Sequence, residues 1–164
     1  MRFNNDFFNS QIPKNLNLLF LVLFFVACNP NQIYRETNKE LPLNRWMRND
    51  PQVFTAKIVN INELYDVNLN FGHIYGFQFK EVPMEITIET PSGELIKKEF
   101  NLQILNDQKE DIGDCLGDIC DVKYTFLESY DFQEQGNYTF TVSNNFDNMF
   151  LTNVLAVGIE ILKI

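Results

Sequence analysis

The 164-residue chain has one histidine, His73, one tryptophan, Trp46, and only three cysteines. The single histidine narrows the enzymatic options. A serine or cysteine nucleophile commonly needs a histidine base placed beside it, and His73 stands alone between two glycines. No G-x-S-x-G, H-E-x-x-H or phosphate-loop pattern occurs. A carboxylate pair for glycoside hydrolysis needs two acids across a cleft, and most of the acids here fall in loop-like stretches. These absences argue against an enzyme and against a resident cofactor. Positive charge is scarce too, with 13 Lys+Arg against 22 Asp+Glu, a net charge of −9. That balance repels nucleic acid phosphates and disfavours electrostatic docking on anionic lipid. Two patterns are also missing: an apolar run of the roughly 20 residues that cross a bilayer, and any convincing amphipathic helix.

One shorter apolar run is present, Leu16–Cys28, in which Asn17 is the only polar residue before the cysteine. Its length fits the apolar region of a signal peptide. Arg2 and Lys14 precede it, and small Ala27 sits directly before Cys28. The sequence FVAC resembles a bacterial lipobox, with Phe25 where leucine is usual. Cys28 is therefore the expected lipidation site. Each buried methylene of an acyl chain contributes about 0.8 kcal/mol, so two or more chains give a stable membrane anchor. Cleavage before Cys28 leaves 137 of the 164 residues, with 11 basic and 21 acidic side chains. That is enough for one domain with a real core. The expected organisation is a signal peptide over 1–27, a lipidated cysteine and tether over 28–49, and a folded domain over 50–164.

With Cys28 acylated, Cys115 and Cys120 remain, separated by four residues that include Gly117. An exported compartment permits a disulfide, which would add roughly 2 kcal/mol for so short a loop. Two free thiols are the alternative. A metal site is disfavoured, because C-x4-C lacks a second ligand pair and His73 is distant in sequence. The surrounding stretch, Asn106–Asp121, holds six acids and reads as a solvated loop. Calcium, which takes several oxygen ligands, is the other reading, although the spacing is not that of an EF-hand.

From Val53 onward the hydrophobic period is two. Phe54, Ala56 and Ile58 alternate with polar neighbours, as do Tyr65, Val67, Leu69 and Phe71. His73–Tyr75, between Gly72 and Gly76, reads as a turn, after which Phe77 and Phe79 resume the alternation. Met84, Ile86 and Ile88 lead into Thr90-Pro-Ser-Gly-Glu94, a hairpin turn in which Pro91 presets φ and Gly93 accepts a positive one. Leu95–Leu102 returns as its partner. Val122–Phe126 and Gly136–Val142 alternate again. Val154–Ile164 is apolar nearly throughout, as a central strand buried on both faces would be. About eight strands with turns between them predict an all-β fold, an antiparallel β-sandwich of jelly-roll or Ig-like type. Sixteen Phe and six Tyr can fill its core.

Several stretches carry a resemblance to a known family. They are the lipoprotein signal, the lead-in IYRETNKELPLNRW, Gly117–Asp121 followed by YTF, then Phe132 with Gly136–Val142, and the closing LTNVLAVGIEI. In these the chain resembles the gliding-motility lipoproteins of the GldH family of Bacteroidetes. The resemblance implies a non-enzymatic, membrane-anchored component of gliding and of the linked type IX secretion machinery. Its expected partners are other envelope proteins, and its expected place is the outer membrane, on the periplasmic face. It carries over no catalytic residue, and it assigns no role to the cysteine pair. The alternative is a surface lipoprotein that binds glycans, with Trp46, Tyr75 and Phe77 as an exposed aromatic platform.

Overall fold

The computed structural model describes residues 29–164. Eleven strands run through it: β1 Gln32–Asn38, β2 Arg45–Met47, β3 Gln52–Ile58, β4 Tyr65–Ile74, β5 Glu81–Glu89, β6 Leu95–Gln103, β7 Asp114–Leu116, β8 Ile119–Tyr130, β9 Gly136–Asn144, β10 Phe150–Thr152 and β11 Val154–Lys163. They form a five-stranded sheet in the order β1-β11-β4-β8-β7, a four-stranded sheet in the order β3-β9-β5-β6, and a ribbon of β2 and β10. Every pairing is antiparallel. The only helical turn among the described residues is Pro42–Asn44. The expected sandwich is therefore present, with eleven strands in place of about eight.

Alternation sets the core. In the four-stranded sheet Phe54, Phe140, Ile88 and Ile96 lie in one cross-strand row. In the five-stranded sheet Ile159 faces Leu69, and Val157 faces Phe71 and Val122 through β4. These inward rows meet in one continuous hydrophobic cluster. Fully burying a side chain of this size contributes about 1.5–3 kcal/mol. Where the sheets converge beyond Tyr65, the rings of Tyr65, Tyr130 and Tyr138 pack edge-on around Phe132.

The hairpin at Thr90–Glu94 forms as its residues dictate. Gly93 takes φ +87°, and the Glu94 amide donates to Thr90 Oγ1. Strand β11 is central, and from Val157 to Ile161 it is buried on both faces. Gly158 lets β1 lie close: a Cβ there would stand 2.5 Å from the Glu36 carbonyl oxygen.

Three expectations are corrected. The stretch 28–49 is strand more than tether: the edge segment expected from Ile33 and Tyr34 extends to Asn38 as β1, paired along β11, and β2 follows with Trp46 fully buried, as a lid on the core would be. His73 is no turn residue. Strand β4 continues to Ile74, so His73 keeps the inward phase of Tyr65, Val67, Leu69 and Phe71. The turn begins at Gly76, φ +73°, and Phe77 and Phe79 lie in irregular chain. Finally, 106–121 is only partly loop, because it contains the β7–β8 hairpin.

Candidate functional sites

Cys28, with the expected signal peptide and lipobox, lies outside the described residues. Cys115 and Cys120 are directly opposed in the β7–β8 hairpin and are joined by a disulfide, with sulfurs 1.98 Å apart. Gly117, at φ +61°, makes the turn. The two ends of the bridge differ: Cys115 is exposed and Cys120 is buried.

Three acids of 107–121 are engaged separately. Asp107 pairs with Lys80 at 2.6 Å, and the hydrogen bond from that ammonium holds its carboxyl below the usual range. Glu110 accepts from the Asn106 side chain, and Asp111 accepts from the Gly76 amide. Among the described residues the side chains that converge are His73, Asp111 and Cys120, whose ligand-type atoms lie within 4.8 Å of one another.

Strand pairing explains that convergence. His73 on β4 and Cys120 on β8 are register partners. The segment before β7 folds back by a bridge between Leu105 and Asp111. The His73 ring is fully buried and packs against the Phe71 and Phe77 rings. Its Nδ1 lies 3.0 Å from the Ile74 carbonyl oxygen. A carbonyl can only accept, so Nδ1 carries the proton. Nε2 points at Asp111 Oδ1 from 3.7 Å, too far for a hydrogen bond, and neither atom has a hydrogen-bond partner. Continuation of the β4 alternation to residue 73 is the signal that would have found the histidine inside. Nothing local in sequence links it to Asp111.

The proposed aromatic platform is not assembled. Trp46 is fully buried and donates its indole N–H to the Asp50 carbonyl at 2.9 Å. Phe77 is buried in the core, and Tyr75 alone is exposed, at 61%. The three rings present no common surface.

Two further surface features were not legible in the sequence. A polar cleft of about 360 Å³ lies on the outward face of the five-stranded sheet. Gly72 and Ala156 form its floor, and Arg35, Lys39, Asn70 and Asp121 stand around it. Beside it, buried Glu160 pairs with Lys123 and, at 3.8 Å, with Arg35. The second feature is an apolar hollow of about 350 Å³ where the β2–β10 ribbon meets the core, lined by Phe79, Phe146, Met149 and Phe150 among others. Arg45 stacks over the Phe150 ring at 4.7 Å.

Fold and surface together define an antiparallel β-sandwich domain that carries a buried His–Asp–disulfide cluster. The family model described as GldH lipoprotein matches residues 32–161, and the chain belongs to that family. Among curated proteins it is similar to a protein of Christiangramia forsetii named "Gliding motility lipoprotein GldH homolog". The two are 19% identical over 124 residues, 76% of this chain and 75% of the relative.

Proposed function

We propose that this protein is a lipid-anchored component of the gliding-motility machinery that acts through contacts with other envelope proteins rather than by catalysis. The observation that carries the reading is the family match across nearly the whole folded domain. The apolar run and FVAC at Leu16–Cys28 support the anchor, with acyl chains on Cys28 after removal of the signal peptide. No helix of the described residues is long and apolar enough to cross a membrane. In this reading the protein sits at the outer membrane on its periplasmic face and serves the type IX secretion machinery linked to gliding. The test is rescue of colony spreading in a strain lacking the gene. Wild-type protein restores spreading. Cys28→Ala accumulates folded in the soluble fraction and does not restore it. Full rescue by a soluble Cys28→Ala protein would contradict the proposal.

A further inference from the structure

We infer that the Cys115–Cys120 disulfide closes a zinc site, and that reducing it lets His73, Asp111 and Cys120 take up one Zn²⁺. This goes beyond the gliding role and does not depend on it.

Two buried polar atoms have no hydrogen-bond partner. His73 Nε2 and Asp111 Oδ1 face each other across 3.7 Å, on side chains 0% and 4% exposed. Buried polar groups are rarely left without partners, and each such case asks for a reason. The far atom of each group is held: Nδ1–H donates to the Ile74 carbonyl, and Asp111 Oδ2 accepts from the Gly76 amide at 3.1 Å. Metal-binding histidines and carboxylates are oriented in this way, with the outer atom hydrogen-bonded and the inner lone pair free. The Phe71 and Phe77 rings, with centroids 5.9 and 5.0 Å away, pack against the imidazole.

The spacing suits zinc. Tetrahedral Zn²⁺ with bonds of about 2.0–2.2 Å to nitrogen and oxygen places those ligands roughly 3.4 Å apart. The observed 3.7 Å needs a shift of only a few tenths of an ångström. Cys120 Sγ is the third of a set within 4.8 Å, and once freed from the bridge it has to swing in by about 1 Å to meet a Zn–S bond of about 2.3 Å. Imidazole, carboxylate and thiolate together are a zinc donor set, and calcium and magnesium prefer oxygen alone. As half of a disulfide, Cys120 has no thiolate to offer, so the bridge decides whether the third ligand exists.

Opening the bridge needs a dithiol reductant. One thiolate of the dithiol attacks the exposed Cys115 sulfur, and the S–S bond breaks with Cys120 leaving as thiolate. The second thiol of the dithiol resolves the mixed disulfide. The dithiol departs oxidised, and two electrons and two protons have passed to Cys115 and Cys120. Zn²⁺ then displaces the thiol proton of Cys120 to solvent and keeps its oxidation state. Cys115 or a water takes the fourth position.

The test uses the full chain purified in detergent, with Co²⁺ as a spectroscopic probe and Zn²⁺ measured by chelator competition. The oxidised chain shows no thiolate-to-cobalt charge-transfer band. After phosphine reduction the band appears, and one Zn²⁺ binds and displaces the Co²⁺. Cys115→Ser frees Cys120 permanently and binds without reductant. His73→Gln and Asp111→Asn each weaken binding roughly 10- to 100-fold or more. Asp111 lies in a peripheral segment, so the Asp111→Asn result stands even where His73→Gln disturbs folding. A reduced chain without the charge-transfer band would overturn the inference. So would equal binding by the oxidised chain, or binding unchanged in both ligand variants.

Discussion

On the outward face of the four-stranded sheet, Thr55, Thr139, Thr141, Thr87 and Glu85 alternate cleanly with the core and stay in partial or full contact with water. On the outward face of the five-stranded sheet, Asn68 and Glu160 are 1% and 5% exposed, as deeply covered as core residues. They stand in one cross-strand row, Arg35–Glu160–Asn68–Thr125, with Thr125 donating to Asn68 Oδ1 at 2.6 Å. One face is a solvated surface and the other a half-buried polar network. Small residues stand beside this network: Gly72 and Ala156 line the cleft, Gly158 lets the β1 backbone lie close, and Arg35 and Lys123 reach Glu160 from the neighbouring strands. In a low-dielectric setting, polar groups so covered are costly to leave unpaired. The five-stranded sheet therefore has more to lose from a polar substitution on its outer side.

The largest test of that contrast is Gly158→Val. A Cβ at 158 would meet backbone at 2.5 Å and Thr37 Oγ1 at 2.6 Å, so β1 must be pushed off β11. A loss of about 3 kcal/mol, the upper part of the overpacking range, is expected in urea unfolding. Thr141→Val on the other sheet stays within about 0.5 kcal/mol of wild type. The next effect in size is Lys123→Ala. Glu160, with a side chain 6% exposed, would keep only the distant Arg35. Stability falls by about 2 kcal/mol, the cost of a poorly compensated buried group.

Alkaline pH probes the seam between the sheets. Burial pushes the phenols of Tyr34, Tyr65, Tyr130 and Tyr138 above their ordinary range, and Glu36 adds to the shift at Tyr34. The folded state holds these protons more tightly than the unfolded one. Their stabilisation is complete below pH about 10 and is lost as pH rises through the folded-state values. Urea midpoints should therefore hold up to pH about 10 and fall as pH rises above it, and Tyr34→Phe should flatten the fall.

The smallest effect is Lys97→Ala. Lys97 pairs with Glu85 and Glu99 on the solvated sheet. Its hydrogen bond is the main reason the Glu85 carboxyl lies below its usual range. That contribution is present above the ordinary carboxylate range and fades as pH falls through the folded value. At neutral pH the variant should unfold at the wild-type urea concentration within error, as exposed ion pairs usually do. A loss as large as that of Lys123→Ala would erase the contrast between the two faces.

The two sheets also differ in how openly the sequence announces them. Phe54-Thr-Ala-Lys-Ile58 can be read directly, because one wet face and one dry face give strict alternation. Strand β11 is apolar on both faces and announces a central position, but the buried Glu160 within it does not announce its partners. Strands β2 and β10 are three residues each and pair across about a hundred positions of chain, so no local pattern reveals them. Gly72 misleads in a physical way. It is small because Ala156 Cβ and Asp121 Oδ1 approach a Cβ position there to 3.1 Å, and no turn requires it. That misreading took His73 out of the strand and hid its pairing with Cys120. The cleft and the His–Asp pair were invisible for the same reason: each depends on strand register, which emerges only when the sheets are assembled.

The most direct measurement is the mass of the amino-terminal peptide of the protein isolated from envelopes. The account predicts a chain beginning at Cys28 and carrying a thioether-linked diacylglycerol. A chain recovered from the soluble fraction with Cys28 unmodified would contradict it.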